Sequence, residues 1–186
     1  RDMVDRILSV GTLPPIVQAG HPALRQKAAP YDGQLPDDQL ARLVELMRQV
    51  MHEAPGVGLA APQLGIPLQV AVVEDQYDVD PDAAAVRHRS PLEFLGVLNP
   101  RYTAIGSGTA SFREGCVALR GLQAVVARPE CVLLDSETPA GAATRREFSG
   151  WQARIVQHET DHLNGILYVD RAQLRSLSTN SEYAAH

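Results

Sequence analysis

His158-Glu159-Thr160-Asp161-His162 is the stretch that decides this chain: two histidines four apart, with a glutamate directly after the first. On a helix, residues four apart share a face, so both imidazoles can reach one metal ion. Glu159 is turned by roughly 100° from His158, which sets its carboxylate beside the ion's open position. A Zn²⁺-like ion lowers the pKa of its bound water to about 7, and a neighbouring carboxylate can take that proton and return it. The pattern is that of metal-assisted hydrolysis.

The flanks agree with a helix. Ser149 is a favoured N-cap ahead of Gly150-Trp151, and Gly165 stands where a helix would stop. Trp151, Ile155, His158 and His162 then fall on one stripe (i, i+4, i+7, i+11) that is expected to face the core. A lone histidine on such a face is ordinarily a satisfied core residue. Two on one stripe both need partners, and a metal supplies one.

Working outward, Asp37 to Ala54 reads as an amphipathic helix. Leu40, Leu43, Val44, Met47, Val50 and Met51 recur at helical spacing, and Pro55-Gly56 stops it. Leu68 to Val73 and Phe94 to Leu98 read as strands. Between them, Asp75 to Ser90 carries acidic residues, Pro81 and three alanines, and reads as a surface loop. Leu122 to Ala127 and Cys131 to Leu134 read as a pair of strands around Arg128-Pro129-Glu130, and Pro139-Ala140-Gly141 as a turn. The order points to an α+β fold. Antiparallel β-sheets pack around a central metal-binding helix, with an N-terminal amphipathic helix. Residues 1–175 are expected to form a single catalytic domain, and 176–186 a polar, frayed tail.

Composition excludes several functions. A net charge of −5 gives no support to nucleic-acid binding, which usually needs a basic face. No apolar run approaches the ~20 residues that span a bilayer, so no membrane association is expected. Two cysteines, Cys116 and Cys131, make no disulfide framework in a chain of 186 residues and fit a reducing compartment. A bacterial cytoplasm is the expected setting; an organelle is the alternative if a targeting segment has been removed.

Two histidines are not a complete site, because a catalytic zinc-type ion usually has three protein ligands. One large metalloprotease group reads H-E-x-x-H-x-x-G-x-x-H. Here Gly165 fits, but Tyr168 stands in the place of the last histidine. In the other common arrangement a glutamate follows, and only Glu182 does. The ligand is therefore sought upstream, where Glu114-Gly115-Cys116 is the best candidate. The glycine lets the backbone approach a metal, and thiolate is a strong ligand. Taken alone, Cys116 reads by default as a buried free cysteine, and Cys131 is read that way. The segment Gly56-Val57-Gly58-Leu59-Ala60-Ala61-Pro62-Gln63 matches a dinucleotide fingerprint only superficially. A helix precedes it, not a strand, and Pro62 blocks the helix that should follow. An extended wall whose backbone binds a peptide, with the Gln63 amide polarising a carbonyl, fits better.

In this order the three segments closely resemble peptide deformylase, a family that carries G-φ-G-φ-A-A-x-Q, E-G-C-φ-S and H-E-x-D-H. Ile16 to Arg25 and Ser149 to Gln157 match further, the latter in the manner of the organellar and some bacterial forms. The resemblance covers roughly residues 15 to 172. It implies removal of the formyl group from the N-terminal methionine of new polypeptides, with release of formate. It also implies that Cys116, His158 and His162 hold one divalent metal ion. Fe²⁺ would be the native ion, and Zn²⁺, Ni²⁺ or Co²⁺ could be found on isolation. Glu159 would be the general base, and the Gln63 amide and Val117 N–H the oxyanion donors. The resemblance places the substrate chain on Gly58, its methionine among Val57, Trp151 and Ile155, and an Arg128–Asp161 pair behind the ligand helix. The partners it implies are N-formylmethionyl peptides or nascent chains, with the ribosome as a further one. One departure stands out: the family serine after E-G-C-φ is Ala118. It keeps open a specialised or resistance paralogue acting on another N-formyl substrate. A zinc-type metallopeptidase is the more distant alternative.

Overall fold

The computed structural model describes residues 1–186. Helices α1 (Asp2–Ser9) and α2 (Asp37–Glu53) come first, followed by strands β1 (Gly58–Ala60) and β2 (Val70–Asp75). A short helix α3 (Pro81–Arg87) leads to strands β3 (Leu92–Ala104), β4 (Thr109–Cys116), β5 (Leu119–Pro129), β6 (Cys131–Glu137) and β7 (Ala143–Ser149). Helix α4 (Gly150–Leu163), strand β8 (Ser178–Thr179) and helix α5 (Asn180–Ala185) complete the chain. All pairings between these strands are antiparallel, in a five-stranded sheet of order β1-β2-β3-β6-β7 and a three-stranded sheet of order β4-β5-β8. The expected α+β fold is the one observed.

The β2 run shows why the sheet sits where it does. Alternate residues of a strand face opposite ways. Val70 and Val72 join a core built with Leu40, Leu43, Met47, Val50 and Met51 of α2, whereas Ala71 and Val73 join a second core with Ala153, Ile155, Val156 and Leu163 of α4. A strand buried on both faces has no solvent side to show, which accounts for the apolar run Val70–Val73; the strand starts two residues later than the sequence reading and continues through the buried Glu74 and Asp75. Helix α4 is thereby sandwiched between the two sheets, and most of its residues are buried.

Helix α4 spans the stretch expected of it, but it begins differently. The Ser149 side chain makes no capping hydrogen bond. The Gly150 and Trp151 N–H groups donate instead to the Glu130 and His88 carbonyls, at 3.0 and 3.1 Å. Neighbouring backbone satisfies the helix start, so the hydroxyl is not needed. At the other end Gly165 is in the left-handed region at φ +74, where a Cβ would also press on the Arg25 carbonyl.

Three expectations need correction. The segment 75–90 is not all loop: Asp80 caps α3 by accepting from the Asp82 and Ala83 N–H groups, and Pro81 sits in its first turn. The two strands around Arg128-Pro129-Glu130 are not partners. β5 pairs with β4 and β6 with β3 and β7, so the chain changes sheets at Glu130. The polar end does not fray from residue 176, because β8 pairs with β5 and Arg113 donates to the Ser176 carbonyl and the Ser178 hydroxyl.

Candidate metal centre

Three elements converge on one point. Helix α4 supplies His158 and His162, one turn apart, with Nε2 atoms 3.2 Å from each other. The β4–β5 hairpin supplies Cys116, whose Sγ lies 3.3 Å from His162 Nε2. One ligand atom from each of the three lies within 4.8 Å of the others, and no second group of this kind occurs in the chain. A tetrahedral ion with bonds of about 2.0–2.3 Å sets its ligand atoms roughly 3.3–3.7 Å apart. The observed spacing fits such an ion.

The electrostatics of the group point the same way. Burial works against a charge on His158, yet hydrogen bonding to Cys116 and to Glu114 raises it well above the ordinary imidazole range. Glu114 Oε1 sits 3.0 Å from His158 Nδ1, which leaves Nε2 to face Cys116 and His162. Partners that favour a proton at that position favour any cation there, including a metal ion. His162 goes the opposite way. Burial, and then the positive charge on His158, push it well below the ordinary range, so its lone pair is free. Its Nδ1 is buried with no partner. A thiolate and two imidazoles are the donor set of a divalent transition metal.

Glu159 lies beside the group and is buried. Burial pushes its carboxyl up to about 7, and its Oε2 has no hydrogen-bond partner. The residue above it must be glycine, because a Cβ on Gly58 would overlap the Glu159 carboxylate. Gln63 stands in a 3-10 turn after β1. Its Oε1 accepts from the Ala60 N–H at 2.7 Å, which fixes the amide and turns Nε2 toward Cys116 Sγ at 3.7 Å. Val57, Gly58, Gln63, Cys116, Val117, Trp151, Ile155, His158 and Glu159 all line one cleft of about 770 Å³. His162 is buried behind them.

Behind the ligands lies a buried charge network. Arg128 donates to both Glu114 oxygens at 2.6 and 3.0 Å and to Asp161 at 2.9 Å, with its side chain 2% exposed. The Arg128–Asp161 pair is therefore an interior brace rather than a surface salt bridge. Arg154 donates to Glu114 at 2.5 Å, while Tyr102 and Arg171 donate to Asp161 at 2.9 and 2.7 Å. Burial alone would raise the Glu114 carboxyl, but hydrogen bonds from His158 and Arg128 hold it well below the usual carboxylate range.

Sequence reasoning missed Glu114, Arg154, Tyr102 and Arg171 as members of this network. Arg154 had a signal: it sits one turn before His158, on the same helical row. Tyr102 and Arg171 come from distant segments and had none. Tyr168, where the protease pattern would place a third histidine, is buried and stacks on the His158 ring at 6.3 Å without ligating. Ala118 is fully buried, and its N–H points at Cys116 Sγ at 3.4 Å.

A family model described as polypeptide deformylase matches residues 13–177. The chain belongs to this family. It is 55% identical over 183 residues to peptide deformylase 3 of Streptomyces avermitilis, covering 98% of this chain and 82% of that protein. It is 51% identical over 183 residues to peptide deformylase 1 of Streptomyces coelicolor, covering 98% and 84%. Among solved structures, the Met-Ala-Ser-bound class I type b peptide deformylase of Acinetobacter baumannii superposes with a TM-score of 0.78 at 32% identity, over 87% of this chain and 99% of that one. Deformylases are metal-dependent hydrolases, and Cys116, His158 and His162 form a metal-binding group in this member. No helix of the chain is long and apolar enough to cross a membrane.

Proposed function

We propose that this chain removes the formyl group from the N-terminal methionine of newly made polypeptides and releases formate. The observation that carries the reading is the convergence of Cys116, His158 and His162 beside a buried Glu159, in a cleft walled by Gly58 and Gln63. Fe²⁺ is the working ion we assign, with Zn²⁺, Ni²⁺ or Co²⁺ as substitutes, since thiolate and imidazole accept all four. When bound, the ion lowers the pKa of water and polarises the formamide carbonyl.

The protein's own residues do the rest. The backbone at Gly58 holds the substrate chain as an added strand, and Val57, Trp151 and Ile155 receive the methionine side chain. Glu159 takes a proton from the attacking water at Oε2, the oxygen with no other partner. The water oxygen bonds to the formyl carbon. The Gln63 amide and the Val117 N–H donate to the oxyanion that develops there, each worth about 10²–10³ in rate. Glu159 then passes its proton to the methionine nitrogen as the carbon–nitrogen bond breaks, and formate leaves with a free amine. Arg128 fixes Glu114, which orients His158, and its bond to Asp161 braces the ligand helix. Residues 1–175 form the catalytic domain in this reading. Substrates are formylmethionyl nascent chains met at or near the ribosome, in a bacterial cytoplasm.

The test is formate release from a formyl-methionyl peptide by protein loaded anaerobically with Fe²⁺, beside an internally cleavable peptide without a formyl group. Formate from the first and no cleavage of the second supports the reading. Cleavage of the second, or no formate from folded, metal-loaded protein, defeats it.

A further inference from the structure

The cleft that holds the site is rich in arginine: Arg87, Arg89, Arg113, Arg120 and Arg154 all line it. Two of them are neutralised. Arg89 donates to Asp75 at 2.8 and 2.9 Å, and Arg154 to Glu114 at 2.5 Å. Arg87, Arg113 and Arg120 have no carboxylate within 4.0 Å. The acidic residues lining the cleft, Glu114 and Glu159, offer them no relief. Glu114 already meets Arg128, Arg154 and His158, and Glu159 is buried beneath Gly58. A chain with a net charge of −5 thus concentrates unpaired positive charge around its substrate cleft.

Arg113 has a structural task, since it holds Ser176 and Ser178 and lies over the Tyr183 ring at 4.1 Å. The other two lack one of comparable strength. Arg87 rests on the Trp151 ring at 5.0 Å, with no hydrogen bond from its guanidinium. Arg120 is exposed, and its side chain makes no hydrogen bond at all; only its backbone N–H is engaged, by Gln18 at 3.3 Å. Arg87 therefore borders the assigned methionine pocket, and Arg120 follows the Val117 oxyanion donor by three residues. Both arginines line the cleft in which a peptide would sit, so its side chains meet their positive field, which salt screens over about 8 Å at physiological ionic strength. Its formylated terminus has no ammonium group, so the first charges it brings are those of its second and third side chains.

We propose that Arg87 and Arg120 tune the cleft toward formyl-methionyl chains with aspartate or glutamate in the two residues after the methionine. This deepens the deformylase reading and rests on it. Arg87, part-exposed, and Arg120, exposed, are each expected to contribute about a two- to fivefold preference over the lysine-bearing equivalent.

The test compares kcat/KM for formyl-Met-Ala-Ala, formyl-Met-Asp-Ala, formyl-Met-Ala-Asp and formyl-Met-Ala-Lys. All are used as C-terminal amides, so that only the side chain is charged, and the free acid of the first peptide reports any effect of a terminal carboxylate. The proposal requires an aspartate peptide to exceed the lysine peptide by about fivefold at low salt, with the ratio falling toward one at high salt. Arg120→Met should lower that ratio about twofold or more, and Arg120→Glu combined with Arg87→Met should invert it. Equal rates, a lysine preference, or an aspartate preference unmoved by salt and by these variants overturns it. Absence of formate from every peptide, the neutral one included, defeats the deformylase reading itself and this proposal with it.

Discussion

Helices α2 and α4 pack on opposite faces of the same sheet, yet they bury opposite chemistries. Helix α2 turns Leu40, Leu43, Met47, Val50 and Met51 inward and, Gln39 apart, leaves its polar residues toward solvent. Helix α4 buries Arg154, Gln157, Glu159, Asp161 and His162. Apolar burial stabilises without demanding one geometry, at about 25 cal/mol per Å². Buried charge costs several kcal/mol per ion unless each partner is met in place, so it stabilises little and specifies much. Helix α2 therefore adds stability by apolar packing alone, whereas α4 packs Ala153, Ile155, Val156 and Leu163 on the sheet and in addition holds a metal-binding group and a carboxylate in a fixed arrangement.

The sharpest way to break this contrast is Arg128→Ala. It removes the one cation shared by Glu114 and Asp161, which keep only Arg154 and His158, and Tyr102 and Arg171, respectively, and a loss of about 3–5 kcal/mol is expected in denaturant unfolding. Metal per folded chain should fall with it, because Glu114 loses the partner that holds it against His158. Next is Met47→Ala in α2, expected to lose about 2–5 kcal/mol to the cavity it leaves. Here metal per folded chain should stay at the parent value; a drop would show that the two faces are not separable. Gly58→Ala should cost less stability but displace Glu159, lowering kcat about 10²-fold with metal content unchanged.

The smallest effect concerns the polar side of α2. Burial alone would raise the Glu74 carboxyl, but hydrogen bonds from Arg48 and then His52 hold it below its ordinary value. A lowered carboxyl stabilises the fold above the unfolded pKa of about 4.3, and that contribution is lost as pH falls through the folded value. Arg48 and His52 are part-exposed, so under about 1 kcal/mol is expected. Glu74→Gln should flatten the acid limb of a stability–pH curve by that amount. An unchanged acid limb would show the cluster to be thermodynamically idle.

The same contrast explains what could be read from the residues. Helix α2 was legible because its apolar period is local, and the His158–His162 pair because one helical turn fixes it. Gln63 and Cys116 became legible through motif order, since nothing in their spacing says that β1 and the β4–β5 hairpin meet. In the brace only Arg154, one helical turn before His158, left a local signal; Glu114, Tyr102 and Arg171 were not legible as its members, because their pairs join residues 10 to 59 positions apart. Strand β4, with polar and small residues at most positions, gave no strand signal, and without it β5 and β6 looked like partners.

The most direct measurement is single-turnover formate release by the parent and Glu159→Gln proteins, each with one metal ion per chain confirmed by elemental analysis. Equal metal content and equal thermal stability to within a few degrees are expected, with formate release slowed by about 10²–10⁴-fold in the variant. A Glu159→Gln protein that binds its metal and releases formate at the parent rate would contradict the role of Glu159 as the base.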